Sequence, residues 1–304
     1  MEAEGQAVTQ QKIERAFWYV LGGLLVVAVL SVIGYGTFGR HPQWLSAFPA
    51  PISKYLNDFY QISFRLFGEG QTWLMFLALA AYLTWKVKGK WVLPLVVVFG
   101  LSFGSEILGT LYGFPFGDYF YSETLLGYRL FGHVPLVIPF SWFMMAVPSF
   151  AIAYAAFPKS RTKVVLMGAL LLTQWDVSLD PAMSYLVPYW SWKVKGGFYG
   201  MPLQNWLGWY LTSVVLMAAM VGLRSERWIE PLSMNWMRGF YVLNLFVPFG
   251  MLLVAGLWWG VLVSLVCFTV CFVGLMPPAM RLHLWFSTSP TPSPSPGVVE
   301  QQLP

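Results

Sequence analysis

The chain has 304 residues, of which 57% are hydrophobic and 10% charged, with a formal net charge of +5 and a mean hydropathy of +0.61. A soluble globule of that length needs more charge to cover its core, so a water-soluble fold is excluded and a lipid bilayer is the expected environment. Sixteen Trp, fifteen Tyr and twenty-four Phe exceed what interfacial belts use, so many of them should line an interior.

Residues 1–16 are polar and mixed in charge, and no small-residue cleavage site follows the first apolar run. They predict a polar tail followed by a retained span at 17–35. A weaker stretch at 72–85 is too short to cross unless it borrows from Ile62 onward, where Arg65 and Glu69 would lie at the interface. The runs 91–112, 134–157, 164–187 and 202–223 are each long enough for a hydrocarbon core of roughly 30 Å. The uncharged run 240–277 would extend about 57 Å as one helix, so it should fold back near Gly256 to Gly260.

The expected fold class is therefore all-α: a polytopic transmembrane helix bundle of eight spans, with seven as the alternative, in one domain over 17–286. Residues 287–304 are Pro/Ser-rich without apolar periodicity and predict a disordered tail. With eight spans, Lys12, Arg15, Lys86, Lys88, Lys90, Lys159, Arg161, Lys163, Arg224, Arg227, Arg238 and Arg281 share one face. Those are twelve of eighteen basic residues, so that face and the N-terminus are expected to be cytoplasmic, in a bacterial cell membrane.

Several chemistries lose support. His41, His133 and His283 are scattered, which disfavours a di-iron or haem centre. The absence of GxGxxG and P-loop motifs removes dinucleotide and ATP binding. Cys267 and Cys271 stand four apart in an apolar run and read as packing, not as a disulfide or metal site. No metal, cofactor or nucleic acid is implied.

Three carboxylates, Glu106, Asp176 and Asp180, fall inside spans that contain no cation to neutralise them. Intramembrane acids are costly and usually face a cavity with a function. Asp176 and Asp180, in the motif WDVSLDPAM, share one helix face with Cβ atoms about 5–6 Å apart. Carboxyls that close do not both ionise readily, and a protonated acid beside an ionised one is a usable acid/base pair. Pro181 disfavours helical geometry at Asp180, so the helix is expected to open there and admit water. Gly100, Gly104, Gly109 and Gly113 give small-residue spacings that predict close helix contact around Glu106. By depth, Glu106 and Asp180 belong to the outer half of the bilayer and Asp176 to its middle, so the three are expected to share one chamber.

The segments SEILGTLYGFPFGDYF, WDVSLDPAM and YWSWKVKGGFYGMPLQNWLGWY, within 91–223, resemble the CruF-type carotenoid hydratases, bisanhydrobacterioruberin hydratases among them. The resemblance implies addition of water across the terminal double bond of an acyclic ψ end group, on γ-carotene or a lycopene-like carotene, without a redox cofactor. Other carotenoid enzymes would be further candidate partners. Chemistry alone assigns the residues. Asp176 is the candidate general acid, Asp180 its proton-sharing partner or the water base, and Glu106 the alternative base. Asp118, His133 and Asn205 are candidates to relay water or protons. Tyr112, Tyr121, Trp175, Trp190, Trp192 and Trp206 are candidate pocket walls that stabilise a cation. Two other classes stay open: an intramembrane prenyltransferase or lycopene elongase holding a magnesium diphosphate, and a proton-coupled transporter.

Overall fold

The structure, a computed structural model, describes residues 2–277, with side chains from residue 8 onward. Arg281, His283, the end of the expected domain at 286 and the 287–304 tail lie outside the described residues.

Helix α1 (Glu2–Gly34) takes in the polar segment as well as the first apolar run, so the expected tail is helical from residue 2. Two elements follow that the sequence reading missed: a 3₁₀ turn at Pro42–Ala47 and α2 (Ala50–Arg65). A π-helical turn, Leu66–Gly70, joins α2 to α3 (Gln71–Val87). Lys88, at φ +56°, ends α3, and α4 (Val92–Tyr112) runs back from it until Gly113 stops it at φ +69°.

The loop after α4 carries three short strands: β1 (Tyr119–Tyr121), β2 (Arg129–Leu130) and β3 (Val134–Pro135). Helix α5 (Val137–Ala156) leads to α6 (Arg161–Asp180), whose N-cap Ser160 accepts from the Lys163 N–H. After β4 (Trp190–Trp192) come α7 (Leu203–Gly222), the short α8 (Glu226–Ile229), α9 (Met234–Ala255) and α10 (Trp258–Thr269). Left-handed Gly256, at φ +71°, makes the turn between α9 and α10, where the fold-back was expected.

Among the described residues, six stretches are long and apolar enough to cross a membrane, and the longest, Ala50–Tyr112, contains both α3 and α4. Helix α6 falls outside the six because Arg161, Lys163, Asp176 and Asp180 lie within it. The chain is mostly helical, and this set of helices is that of a multi-pass integral membrane protein. The strands qualify the all-α expectation: β2 pairs with β3, and β1 pairs antiparallel with β4.

Helix α5 is the axis of the bundle. Every residue from 141 to 153 is buried, as a helix apolar on all sides should be, against α3, α4, α6 and α9. Helix α6 packs on α7 so closely at Gly168 that an added Cβ would lie 2.7 Å from Met217 Sδ. At one end of the bundle, Lys86 pairs with Glu14 at 3.9 Å, the Ser233 N–H donates to the Tyr82 hydroxyl at 2.9 Å, and the Tyr154 hydroxyl donates to Glu230 at 2.8 Å. That end collects the basic residues near the termini of α3, α4, α6 and α7. Residue 106 lies about 21 Å further along α4, at ~1.5 Å per residue, toward the other end.

Candidate active site at the end of the bundle

Glu106 sits near the last turns of α4 and is 4% exposed. Its Oε2 accepts the Tyr121 hydroxyl at 2.6 Å and also the Tyr119 hydroxyl, and its Oε1 accepts the Trp142 indole N–H at 2.8 Å. Three donors converge on it, a setting that suits a carboxylate. Burial, and next the charge of Glu106, push both tyrosine hydroxyls well above their usual pKa, so both stay protonated donors.

Asp180, 1% exposed, accepts the Trp190 indole N–H on Oδ1 at 2.7 Å and an Asn205 amide N–H on Oδ2. Asn205 Nδ2 also donates to Asp176 Oδ2 at 3.0 Å, so one amide ties the two aspartates together from the first turn of α7. Asp176 Oδ1 is buried without a partner.

Strand register explains why the donors converge. Tyr119 faces Trp192 and Tyr121 faces Trp190 across the β1–β4 pair. Directly opposed residues of an antiparallel pair point to one face, so all four rings turn toward the carboxylates while Phe120, 53% exposed, turns away. Together with Phe116, Trp142, Trp175 and Trp209 they enclose a cavity of about 100 Å³ that Glu106, Asp180 and Asn205 also line. Trp142 and Trp209 stack at 4.0 Å between centroids. Among the described residues, no Lys or Arg lines this cavity.

The structure thus brings Glu106, Asp180, Tyr121, Trp175, Trp190, Trp192 and Asn205 to one chamber. Asp176 lies behind Asp180, off the cavity wall, because α6 turns its lower carboxylate toward α7. Other candidates are elsewhere. Asp118 pairs with Lys193 at 3.3 Å at the surface, His133 is exposed in the β2–β3 turn, Tyr112 is 75% exposed, and Trp206 packs on Phe198 at 5.0 Å.

Two further expectations are corrected. The helix does not open at Asp180: its backbone is helical and continues into a π-helical turn, Pro181–Leu186. Pro181 removes the N–H that would bond the Val177 carbonyl, yet the helix runs on through it, and in the wider turn that follows the Ser184 hydroxyl donates to the Asp180 carbonyl at 2.7 Å. Nor do the glycines make a helix seam. Gly100 and Gly104 have nothing within 4 Å of an added Cβ, Gly109 abuts the loop residues Phe116 and Tyr119, and Gly113 is the left-handed helix end. Trp142, Trp209 and Phe116 were missed, since an aromatic in an apolar run carries no mark separating a cavity wall from packing.

A family model described as carotenoid biosynthesis protein matches residues 70–271. The chain belongs to that family. The match spans Glu106, Asp176, Asp180 and every aromatic of the chamber, while Glu69, which also lines it, lies one residue before the match. The bisanhydrobacterioruberin hydratase of Haloarcula japonica is 31% identical over 215 residues, covering 64% of this chain and 71% of that protein. No solved structure matches the chain.

Proposed function

We propose that this protein is a carotenoid hydratase that adds water to the terminal double bond of an acyclic ψ end group. The observation that carries the reading is one small aromatic chamber lined by Glu106, held by three donors, and by Asp180, which one Asn205 amide ties to Asp176. The family and the hydratase relative support it.

Hydration of an isolated trisubstituted alkene begins when an acid adds a proton to the less substituted carbon. The π electrons form the new C–H bond and leave a tertiary cation. Asp180, on the cavity wall, is the group placed to deliver that proton, with Asp176 behind it as the partner that shares it. The faces of Trp142, Trp175, Trp190 and Trp209 and the charge of Glu106 stabilise the cation. Water then forms the C–O bond, and its second proton passes to Glu106, giving the tertiary alcohol. Glu106 then passes that proton through water to Asp180, which restores both groups for the next turnover. No redox change occurs, so the step balances without a cofactor. A diphosphate substrate would need cationic side chains that this chamber does not present. The bundle would sit with its N-terminus cytoplasmic and its chamber near the opposite face.

The test is expression in a host that accumulates lycopene or γ-carotene, with pigment mass measured. A product heavier by one water is expected. Well-folded protein that yields no such product from either carotene would overturn the proposal.

A further inference from the structure

The end-group chamber is too small for a carotene. At about 100 Å³ it is smaller than the roughly 150 Å³ cavity that takes a benzene ring, so it admits the tip of a long molecule and no more. A second cavity of about 190 Å³ lies beside it, walled by the end of α1, by α2 with the π-helical turn after it, and by α9. No charged side chain lines it, and its walls include Leu30, Phe38, Leu56, Phe59, Phe67 and Val247. Most of those walls come from before residue 70, where the family match begins.

The two cavities share three residues: Gly68, Met183 and Tyr189. Tyr189 is the partition. Its hydroxyl donates to the Phe64 carbonyl, and its ring lies so close to Gly68 that an added Cβ there would be 2.1 Å from the hydroxyl oxygen and 2.5 Å from Cζ. Only a residue without a side chain leaves room for that ring in the π-helical turn. The polar chamber and the apolar cavity are therefore neighbours across one aromatic ring.

We propose that the second cavity is the binding subsite for the polyene chain next to the reacting end group, with Gly68, Met183 and Tyr189 as the neck between them. This rests on the hydratase reading for the identity of the occupant. Adjacency to the chamber across the Tyr189 ring, the chamber's size and the absence of charge among the described lining residues favour one extended apolar molecule that occupies both cavities past that ring. Burial of its chain would supply binding energy remote from the chemistry, which holds the end group in place.

Gly34 offers a test that leaves the chamber untouched. It lines the second cavity, its backbone is right-handed helical at φ −58°, and an added Cβ meets nothing within 4 Å. Gly34→Phe should fill the cavity without strain, and Ser63→Phe should fill it from α2. Full-length protein is titrated with lycopene, following tryptophan quenching, and turnover is measured on lycopene and on an acyclic monoterpene alcohol with the same end group. Both variants should raise the lycopene Kd and KM on the order of tenfold or more and leave turnover of the short alcohol unchanged. Wild-type values for lycopene in both folded variants would overturn the proposal. So would an equal loss on the long and short substrates, or a co-purified lipid lost from the variants while lycopene binding stays intact. If wild type hydrates neither substrate yet lycopene binding depends on Gly34, the hydratase reading falls and the subsite stands.

Discussion

Glu106 and Asp180 are both buried acids, but their surroundings separate their roles. Glu106 takes three donors, among them the Trp142 indole N–H, which cannot accept, whereas Asp180 shares the Asn205 amide with a second carboxyl, Asp176. Substitution should expose that division. Asp180→Asn is expected to lower turnover roughly 10²–10⁴-fold, and Glu106→Gln by a similar factor, with carotene binding retained. Asp176→Asn should cost less, about tenfold, because that side chain does not line the cavity; its measure is kcat beside an unchanged KM. A loss at Asp176 equal to that at Asp180 would return Asp176 to the role of direct acid. The tyrosines add a pH expectation. An acid whose pKa is raised keeps its proton to higher pH, so tyrosinate formation at Tyr119 and Tyr121 should not set the alkaline limb of the pH–rate profile below about pH 10. Replacing Tyr121 by Phe should leave any alkaline limb below that pH where it is.

The elements that build the site differ in how far they could be foreseen. The helices around Glu106 and the aspartates were legible because a bilayer demands long apolar runs, and α4, α5 and α7 begin and end within a few residues of expectation. Their meeting was legible too, since uncompensated acids in lipid must find a cavity. The β1–β4 pair was not: three-residue strands 70 positions apart leave no periodicity to read, and loop aromatics resemble an interfacial belt. Pro181 was read as a break, but Asp180 keeps helical backbone geometry and the helix widens into a π-helical turn instead. One prediction belongs to this scale. Gly109 lets β1 close on α4, and an added Cβ there would sit 2.9 Å from both Phe116 Cδ2 and Tyr119 Cε1. Gly109→Ala should therefore cost about 1–3 kcal/mol of stability and pull Tyr119 from Glu106, read as a lowered Tm with a larger loss of kcat than of binding.

Across the whole molecule, charge and chemistry occupy different ends. The basic clusters near Lys86, Lys159 and Arg224 gather where α1 begins and α3 finishes, and the chamber lies at the far ends of α4 and α6. Reporter fusions placed after Lys88 and after Phe157 should both report the cytoplasm, and a fusion in the 122–128 loop the opposite side; reversal of that pattern would invert the proposed orientation. The narrowness of the chamber also bears on symmetrical pigments. A space that accepts one tip at a time cannot process both ends of a lycopene-like molecule in a single encounter. After one hydration the molecule must dissociate, turn end for end and bind again, so the enzyme would act distributively. In a time course on such a substrate the monohydroxy carotenoid should rise and pass through a maximum before any dihydroxy product accumulates, and added fresh substrate should compete it away from the second step.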